Sequence, residues 1–295
     1  MARCLVTGHK GYIGSRLFEA LEAEGHDVMG IDLNDEISHD IIKELRESTD
    51  GKFHPHYYNF QPEYIFHMAC WPRVGYSVEY PVETNENNIL AGTILLNFAR
   101  KVGSVKRVIY SSSSSIQGNG GGPESPYALQ KYVTELETGL YARLYGVDTV
   151  SLRYFNVYSH DQDIHGPYAT AVSNWMYSIR EGTDPYITGD GRQSRDMVNV
   201  ADVVRANIFC MNHKEKFNGI VYEIGTGDNI SLNGIKDIIL EEFPNVTFNY
   251  VSPRAGDVFT TKANIEPLKS IGWCAIINIR DGIRDCFARL KNELG

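Results

Sequence analysis

The chain has 295 residues, 42% hydrophobic and 22% charged, with a formal net charge of −9. This is the composition of an ordinary globular protein long enough for two lobes, and its acidic balance argues against nucleic acid as the main partner. No segment approaches 18 continuous apolar residues, so nothing is expected to span a membrane. The start, Met1 to Gly8, is too short an apolar run for a signal peptide. The five cysteines are scattered and form no Cys-x-x-Cys pair, which suits a reduced, cytoplasmic protein.

In chain order, Cys4 to Val6 reads as a strand and Ile13 to Glu24 as a helix. A second strand is predicted over Asp27 to Ile31 and a short helix near Ile41 to Glu47. Tyr64 to Ala69 is a further strand, followed by a helical pattern from Asn88 to Val102. Then come a strand at Lys106 to Ser111, a helix at Pro126 to Tyr145 and a strand at Thr149 to Tyr154. Val203 to Met211 reads as helix and Ile220 to Ile224 as strand. This alternation predicts an α/β fold with a doubly wound, Rossmann-like parallel sheet. Segments 156–193 and 228–295 mix shorter patterns with Gly and Pro, and read as a smaller, discontinuous α/β lobe. The remainder, 1–155 and 194–227, is expected to be a dinucleotide-binding domain.

Four features carry chemistry. Gly8, Gly11 and Gly14 lie between the first strand and first helix, where glycine lets backbone approach a pyrophosphate at a helix N-terminus. Asp32 ends the second strand, where a carboxylate accepts from both ribose hydroxyls of NAD and repels a 2′-phosphate. A serine run, Ser111 to Ser115, offers hydroxyls to a developing carbonyl, although such runs are also ordinary loop sequence. Tyr127 and Lys131 stand four apart on a helix that Ser125 can cap and Pro126 can open, so they share a face. An ammonium beside a phenol favours the phenolate, which can move a proton near neutral pH. That spacing alone is weak evidence, because chance nearly supplies it.

Taken together the chain resembles the extended short-chain dehydrogenase/reductase family, in its nucleotide-sugar epimerase and dehydratase branch. The Gly8/Gly11/Gly14 loop matches the family's Gly-x-x-Gly-x-x-Gly, His67-Met68-Ala69 its strand end, and Tyr127/Lys131 its Tyr-x-x-x-Lys. Counting back five residues from Gly118 makes Ser113 the catalytic hydroxyl. Arg153-Tyr154-Phe155-Asn156, Gly189-Asp190-Gly191 through Arg195-Asp196, and Arg254-Ala255-Gly256-Asp257-Val258 match three later motifs. The resemblance implies NAD held by Gly8, Gly11, Tyr12, Ile13, Gly14, Asp32, Asp40, Ile41, Met68, Ala69, Ser111, Tyr127, Lys131 and Tyr154. It implies catalysis by Ser113, Tyr127 and Lys131. Ser113 and Tyr127 would also touch the sugar, Asn156, Arg195 and Arg254 the diphosphate, and Asp257 the nucleotide ribose. No metal site is implied.

Family members that eliminate water usually follow the catalytic hydroxyl with Asp-Glu, and here those places are Ser114 and Ser115. Serine is a poor acid or base near neutral pH, so the resemblance implies C4 epimerisation through a 4-keto sugar. A dehydratase or 4-ketosugar reductase is the competing enzyme reading, and a NAD-bound regulatory protein the competing class. Gln162 to Trp175 resembles the epimerases of UDP-N-acetylhexosamines, which leaves UDP-GlcNAc/GalNAc and UDP-Glc/Gal as comparable candidates, with UDP-uronic acids also open. Three departures stand out: Gln117 replaces an aromatic, the loop from Ser113 to Tyr127 is short, and Ser159-His160-Asp161 stands where Gly-Pro-Arg is common. A homodimer through the helices Asn88 to Val102 and Pro126 to Tyr145 is also implied. The second helix carries an apolar stripe of Leu129, Val133, Leu136, Leu140 and Leu144, which could equally face the sheet.

Overall fold

A computed structural model of the chain describes every residue except 37–38, 73, 163–169 and 254–257. Its largest sheet has six strands. Five are β1 (Arg3–Thr7), β2 (Asp27–Ile31), β3 (Tyr64–His67), β4 (Arg107–Ser113) and β5 (Thr149–Tyr154), and the sixth is Ile220–Ile224. The spatial order is Ile220–Ile224, β5, β4, β3, β1, β2. Strand order reverses between β1 and β3, the switch point at whose carboxyl ends open α/β sheets bind ligands.

The register explains why four of the predicted cofactor residues fall together. Thr7 pairs in parallel with Ile31 on one side and with His67 on the other, and His67 pairs with Tyr110. The residues that follow these four are Gly8, Asp32, Met68 and Ser111, so all four emerge along one edge of the sheet.

The strands are apolar because helices cover them. Leu5, Ile31, Ile65 and Val108 form one core with Ile41, Leu45, Leu95, Phe98 and Val102 from helices Ile41–Leu45 and Ala91–Val102. Near-continuous apolar strands are the expected signature of a sheet buried on both faces. Pro126–Tyr145 forms as its sequence signals predict. Ser125 is extended (φ −147°) and its hydroxyl accepts from the Ala128 N–H at 3.2 Å, while Gly146 (φ 69°) ends the helix in the left-handed region.

The chain divides into two compact units, Met1–Gln117 with Gly121–Arg153 and Val204–Tyr222, and Gly118–Gly120 with Tyr154–Val203 and Glu223–Gly295. The second unit is more regular than its sequence pattern implies. Helices Ala171–Arg180, Leu232–Glu242 and Ile279–Leu294 enclose a core that includes Trp175, Ile187, Ile235, Ile239, Ile283 and Phe287. Among the described residues it also has three two-stranded ladders: Asn156–Tyr158 with Met197–Asn199, Tyr186–Thr188 with Asn249–Val251, and Ser194–Arg195 with Ile230–Ser231.

Candidate active site

At the end of β1 the chain turns through Gly8 at φ 72°, in the left-handed region. A Cβ there would lie 2.7 Å from the Ala69 amide nitrogen, and one at Gly14 would overlap the Gly8 carbonyl oxygen. Glycine is therefore required at both places by close backbone approach. Gly11 is the N-cap of helix Tyr12–Ala23 and supplies no side-chain cap, so Tyr12, Ile13 and Gly14 open a helix whose first amides can face an anion. Across the sheet edge the Asp32 carboxylate accepts from the amides of Lys10 and Asn34, each at 2.9 Å. Asp40 caps helix Ile41–Leu45 by accepting from the Ile42 amide at 2.8 Å, and Ile41 is packed in the core.

Around the end of β4 the predicted catalytic residues are fixed by several independent contacts. Lys131 is 4% exposed, and its Nζ donates to the Ser111 carbonyl at 2.6 Å. Tyr127, one helical turn earlier, donates its backbone amide to the Ser77 hydroxyl at 3.0 Å. Ser113 closes β4, and its Oγ accepts from the Ser115 amide at 3.2 Å and from the Ser115 hydroxyl at 2.9 Å. Ser115 therefore has a role that its lack of acidity concealed: by donating to Ser113 it leaves the Ser113 proton to point elsewhere. His67 is buried, with Nδ1 2.8 Å from the Thr7 hydroxyl. Burial, and then the charge of Lys131, push its pKa down to about 3, so it is a neutral ring beside the cation.

The helix presents a polar face to the protein interior. Its buried residues include Gln130, Lys131, Thr134, Glu135 and Thr138. Glu135 accepts from the Ser112 hydroxyl at 2.7 Å and from Arg153 at 2.9 and 2.6 Å, tying the helix to β4 and β5. Asn88, in a π-helical turn at Glu86–Leu90, accepts from the Trp71 amide at 2.7 Å and donates to Gln130 at 2.7 Å. Glu135 and Asn88 were not among the expected site residues. Asn88 has one sequence signal, a polar residue at a position that the helical period assigns to the interior, whereas Glu135 lies on the polar face of its helix and has none.

In the second unit, Asn156 and Arg195 flank a single buried acid. Asn156 donates through Nδ2 to the Asp196 carbonyl at 2.9 Å. The Arg195 guanidinium donates to the carbonyls of Ser194 at 2.9 Å and Phe259 at 3.3 Å. The Asp196 carboxylate accepts from the amides of Thr226, Gly227 and Ala263 at 2.8–3.0 Å and from the Thr226 hydroxyl at 2.9 Å. Burial still raises its pKa, because those bonds offset the lost hydration only in part. Asp196 thus fixes the backbone on which Asn156 and Arg195 stand. Tyr154 is buried in this unit. Arg254 and Asp257 lie outside the described residues, as does 163–169 within the segment that suggested an N-acetylhexosamine.

Comparison with known proteins decides the family. The pattern of the NAD dependent epimerase/dehydratase family matches residues 4–225. The chain is 30% identical to UDP-glucose 4-epimerase of Mycolicibacterium smegmatis, over 99% of both chains. Its fold is similar to UDP-glucose 4-epimerase of Thermotoga maritima solved with UDP-glucose, at TM-score 0.87 and 29% identity, covering 99% of this chain and 100% of that one. It is similar also to UDP-N-acetylglucosamine 4-epimerase of Methanobrevibacter ruminantium, solved with UDP-N-acetylmuramic acid, at TM-score 0.85 and 29% identity over 99% of each. The chain belongs to the NAD dependent epimerase/dehydratase family.

The residues present fit the cofactor of that family. The tight turn at Gly8, the uncapped helix start at Gly11 and the carboxylate of Asp32 on neighbouring strand ends suit a pyrophosphate and a ribose. Among the described residues no group of three His, Cys, Asp or Glu side chains could hold a metal ion, and no helix is long and apolar enough to cross a membrane.

Proposed function

We infer that this protein interconverts the C4 epimers of a UDP-hexose or UDP-N-acetylhexosamine, with NAD bound throughout the cycle. The observation that carries this reading is the arrangement at the end of β4. Lys131 is anchored to the Ser111 carbonyl, Tyr127 stands one turn away, Ser113 closes the strand, and only hydroxyls follow it at Ser114 and Ser115. Such a site can remove and return one proton, and at Ser114 and Ser115 it offers neither the acid nor the base that a C5–C6 elimination uses there.

In this reading NAD, when bound, supplies reversible hydride chemistry at the sugar C4. Gly8, Gly11, Tyr12, Ile13 and Gly14 hold its pyrophosphate, and Asp32 its ribose. Tyr127, as phenolate, takes the proton of the 4-hydroxyl and later returns it. Ser113 donates to the same oxygen as it becomes a carbonyl. Lys131 favours the phenolate of Tyr127 and offers N–H donors to the nicotinamide ribose. Asn156 and Arg195 act on the diphosphate, with Arg254 and Asp257 completing the nucleotide site. Residues 1–155 and 194–227 serve as the NAD-binding domain, and the rest as the nucleotide-sugar lobe. Because the hydride returns to the same substrate, no external reductant is consumed.

Purified protein with UDP-glucose or UDP-N-acetylglucosamine and no added nicotinamide is expected to form the corresponding galacto epimer, detectable by proton NMR. Accumulation of a 4-keto-6-deoxy product, or a stoichiometric demand for NAD(P)H, would assign the protein to the dehydratase or reductase reading.

A homodimer through helix Pro126–Tyr145 is supported by its outer face. Leu129, Leu136, Leu140 and Leu144 are 52%, 54%, 41% and 63% exposed, so the stripe turns away from the sheet. An exposed apolar stripe of this kind suits a second copy of the chain. Sedimentation is expected to give a dimer for the parent protein and a monomer for Leu136→Glu/Leu140→Glu. A monomeric parent at micromolar concentration would remove this proposal. The free cysteines, three of them buried, suit a reducing cytoplasm.

A further inference from the structure

An ammonium as buried as Lys131 is costly unless its surroundings replace lost water. Among the described residues it has no carboxylate partner. The nearest acid on its own helix, Glu135, is engaged by Arg153 and Ser112. What the ammonium has instead is the Ser111 carbonyl at 2.6 Å, the Cys70 thiol, and the face of the Tyr110 ring, whose centroid lies 5.1 Å from Nζ. The negative face of an aromatic ring attracts such a cation, most strongly when both are shielded from water. Tyr110 is 2% exposed, and its own hydroxyl points elsewhere, to the Lys131 carbonyl at 3.4 Å. We propose that Tyr110 is a positioning residue for the epimerisation: its ring face holds the Lys131 ammonium at the Ser111 carbonyl, where the charge acts on Tyr127.

The geometry separates this role from simple core filling. The carbonyl and the Cys70 thiol fix Nζ from two directions, and a lysine side chain has four rotatable bonds. The ring closes a third direction. The titratable groups facing this cation are few. His67 on β3 is neutral. Cys70, which follows β3, has its thiol pKa raised by burial. Tyr110 on β4 is held well above its ordinary pKa, also chiefly by burial. Tyr127 and Glu135 stand one turn before and after Lys131 on the helix. Of these, Tyr127 is the one whose ionisation the reaction uses. Weakening the hold on the ammonium therefore disfavours the Tyr127 phenolate and moves the acidic limb of the rate profile to higher pH.

The proposal rests on the epimerase reading, so two measurements are paired. The first is the pH profile of kcat/KM for Tyr110→Phe, Tyr110→Leu, and a fluorinated series. In that series Tyr110 is replaced by phenylalanine carrying one, two or three ring fluorines, which keep the shape and drain the ring face. Tyr110→Phe is expected to match the parent within about twofold, because the ring remains. Tyr110→Leu is expected to lose about tenfold in kcat near neutral pH, with the acidic limb raised, and the fluorinated series to raise that limb in steps. The second is the titration of the Lys131 amine by NMR in the same proteins, which does not depend on turnover. A parent protein without epimerase activity overturns the functional reading alone. An unmoved Lys131 titration and limb across the fluorinated series overturn the role of Tyr110. Equal loss in Tyr110→Phe and Tyr110→Leu would assign the effect to the hydroxyl and overturn it as well. The fluorinated series decides the matter even where Tyr110→Leu does not fold.

Discussion

Tyr127→Phe is expected to leave the protein folded and NAD-bound while lowering kcat for C4 interconversion about 10²–10⁴-fold, the usual worth of a positioned acid–base group. The substitution removes one oxygen. Ser125 still caps the helix, the residue 127 amide still meets the Ser77 hydroxyl, and Lys131 still reaches the Ser111 carbonyl. The cofactor loop of Gly8, Gly11 and Gly14 lies elsewhere on the sheet edge and is untouched. The loss should therefore appear in kcat far more than in NAD retention, measured by cofactor release on denaturation. Lys131→Met is expected to impair both, because that side chain also serves the cofactor. Near-normal turnover in Tyr127→Phe would remove the phenol from the proton transfer.

The largest effect on stability is expected away from the site, at Arg107. This residue and Asp148 form a buried pair, Nε to Oδ2 at 2.6 Å, with side chains 6% and 2% exposed. Arg107 also donates to the carbonyls of Cys210, His213 and Glu215 and lies over the Phe217 ring, 4.5 Å from its centroid. Asp148 accepts from the amides of Phe217 and Asn218 at 2.8 and 2.9 Å. One guanidinium thus fastens the chain leaving helix Val200–Asn212 to the starts of β4 and β5. Arg107→Ala strands a buried carboxylate and several carbonyls, at an expected cost of about 3–5 kcal/mol. Urea unfolding checks this as a lowered midpoint. Arg107→Lys should recover only part of the loss, since an ammonium cannot reproduce the fork that reaches four oxygens. A midpoint unchanged in Arg107→Ala would show that the pair contributes nothing net.

Much of the first unit is legible in the sequence because its signals are local. Asp27–Ile31, Thr149–Tyr154, Ile220–Ile224 and Pro126–Tyr145 occupy the residues their patterns predict. The short helices Pro55–Phe60, Val74–Glu79 and Pro81–Asn85 are not predicted. Too short to show a period, they owe their form to what they pack against. Ser77 in the second reaches the Tyr127 amide, and Thr84 in the third accepts from Gln130 at 2.9 Å. The helices of the second unit were obscured by intervening Gly and Pro, although Asn278 and Ser231 cap two of them as sequence would suggest.

By itself, then, the sequence determined the alternation of the main strands and helices of the first unit, the glycine turn, and the spacing that puts Tyr127 and Lys131 on one face. Those depend on backbone preference and short-range periodicity. Only the tertiary structure decided which face of helix Pro126–Tyr145 is buried. Periodicity would bury its leucines, yet the buried side is the polar one with Lys131 and Glu135, because Ser111, Ser112, Tyr110 and Arg153 arrive from β4 and β5 to satisfy it. Those partners are 18 to 23 residues away in the chain. No local pattern encodes that a carbonyl, an aromatic face and a guanidinium will meet there.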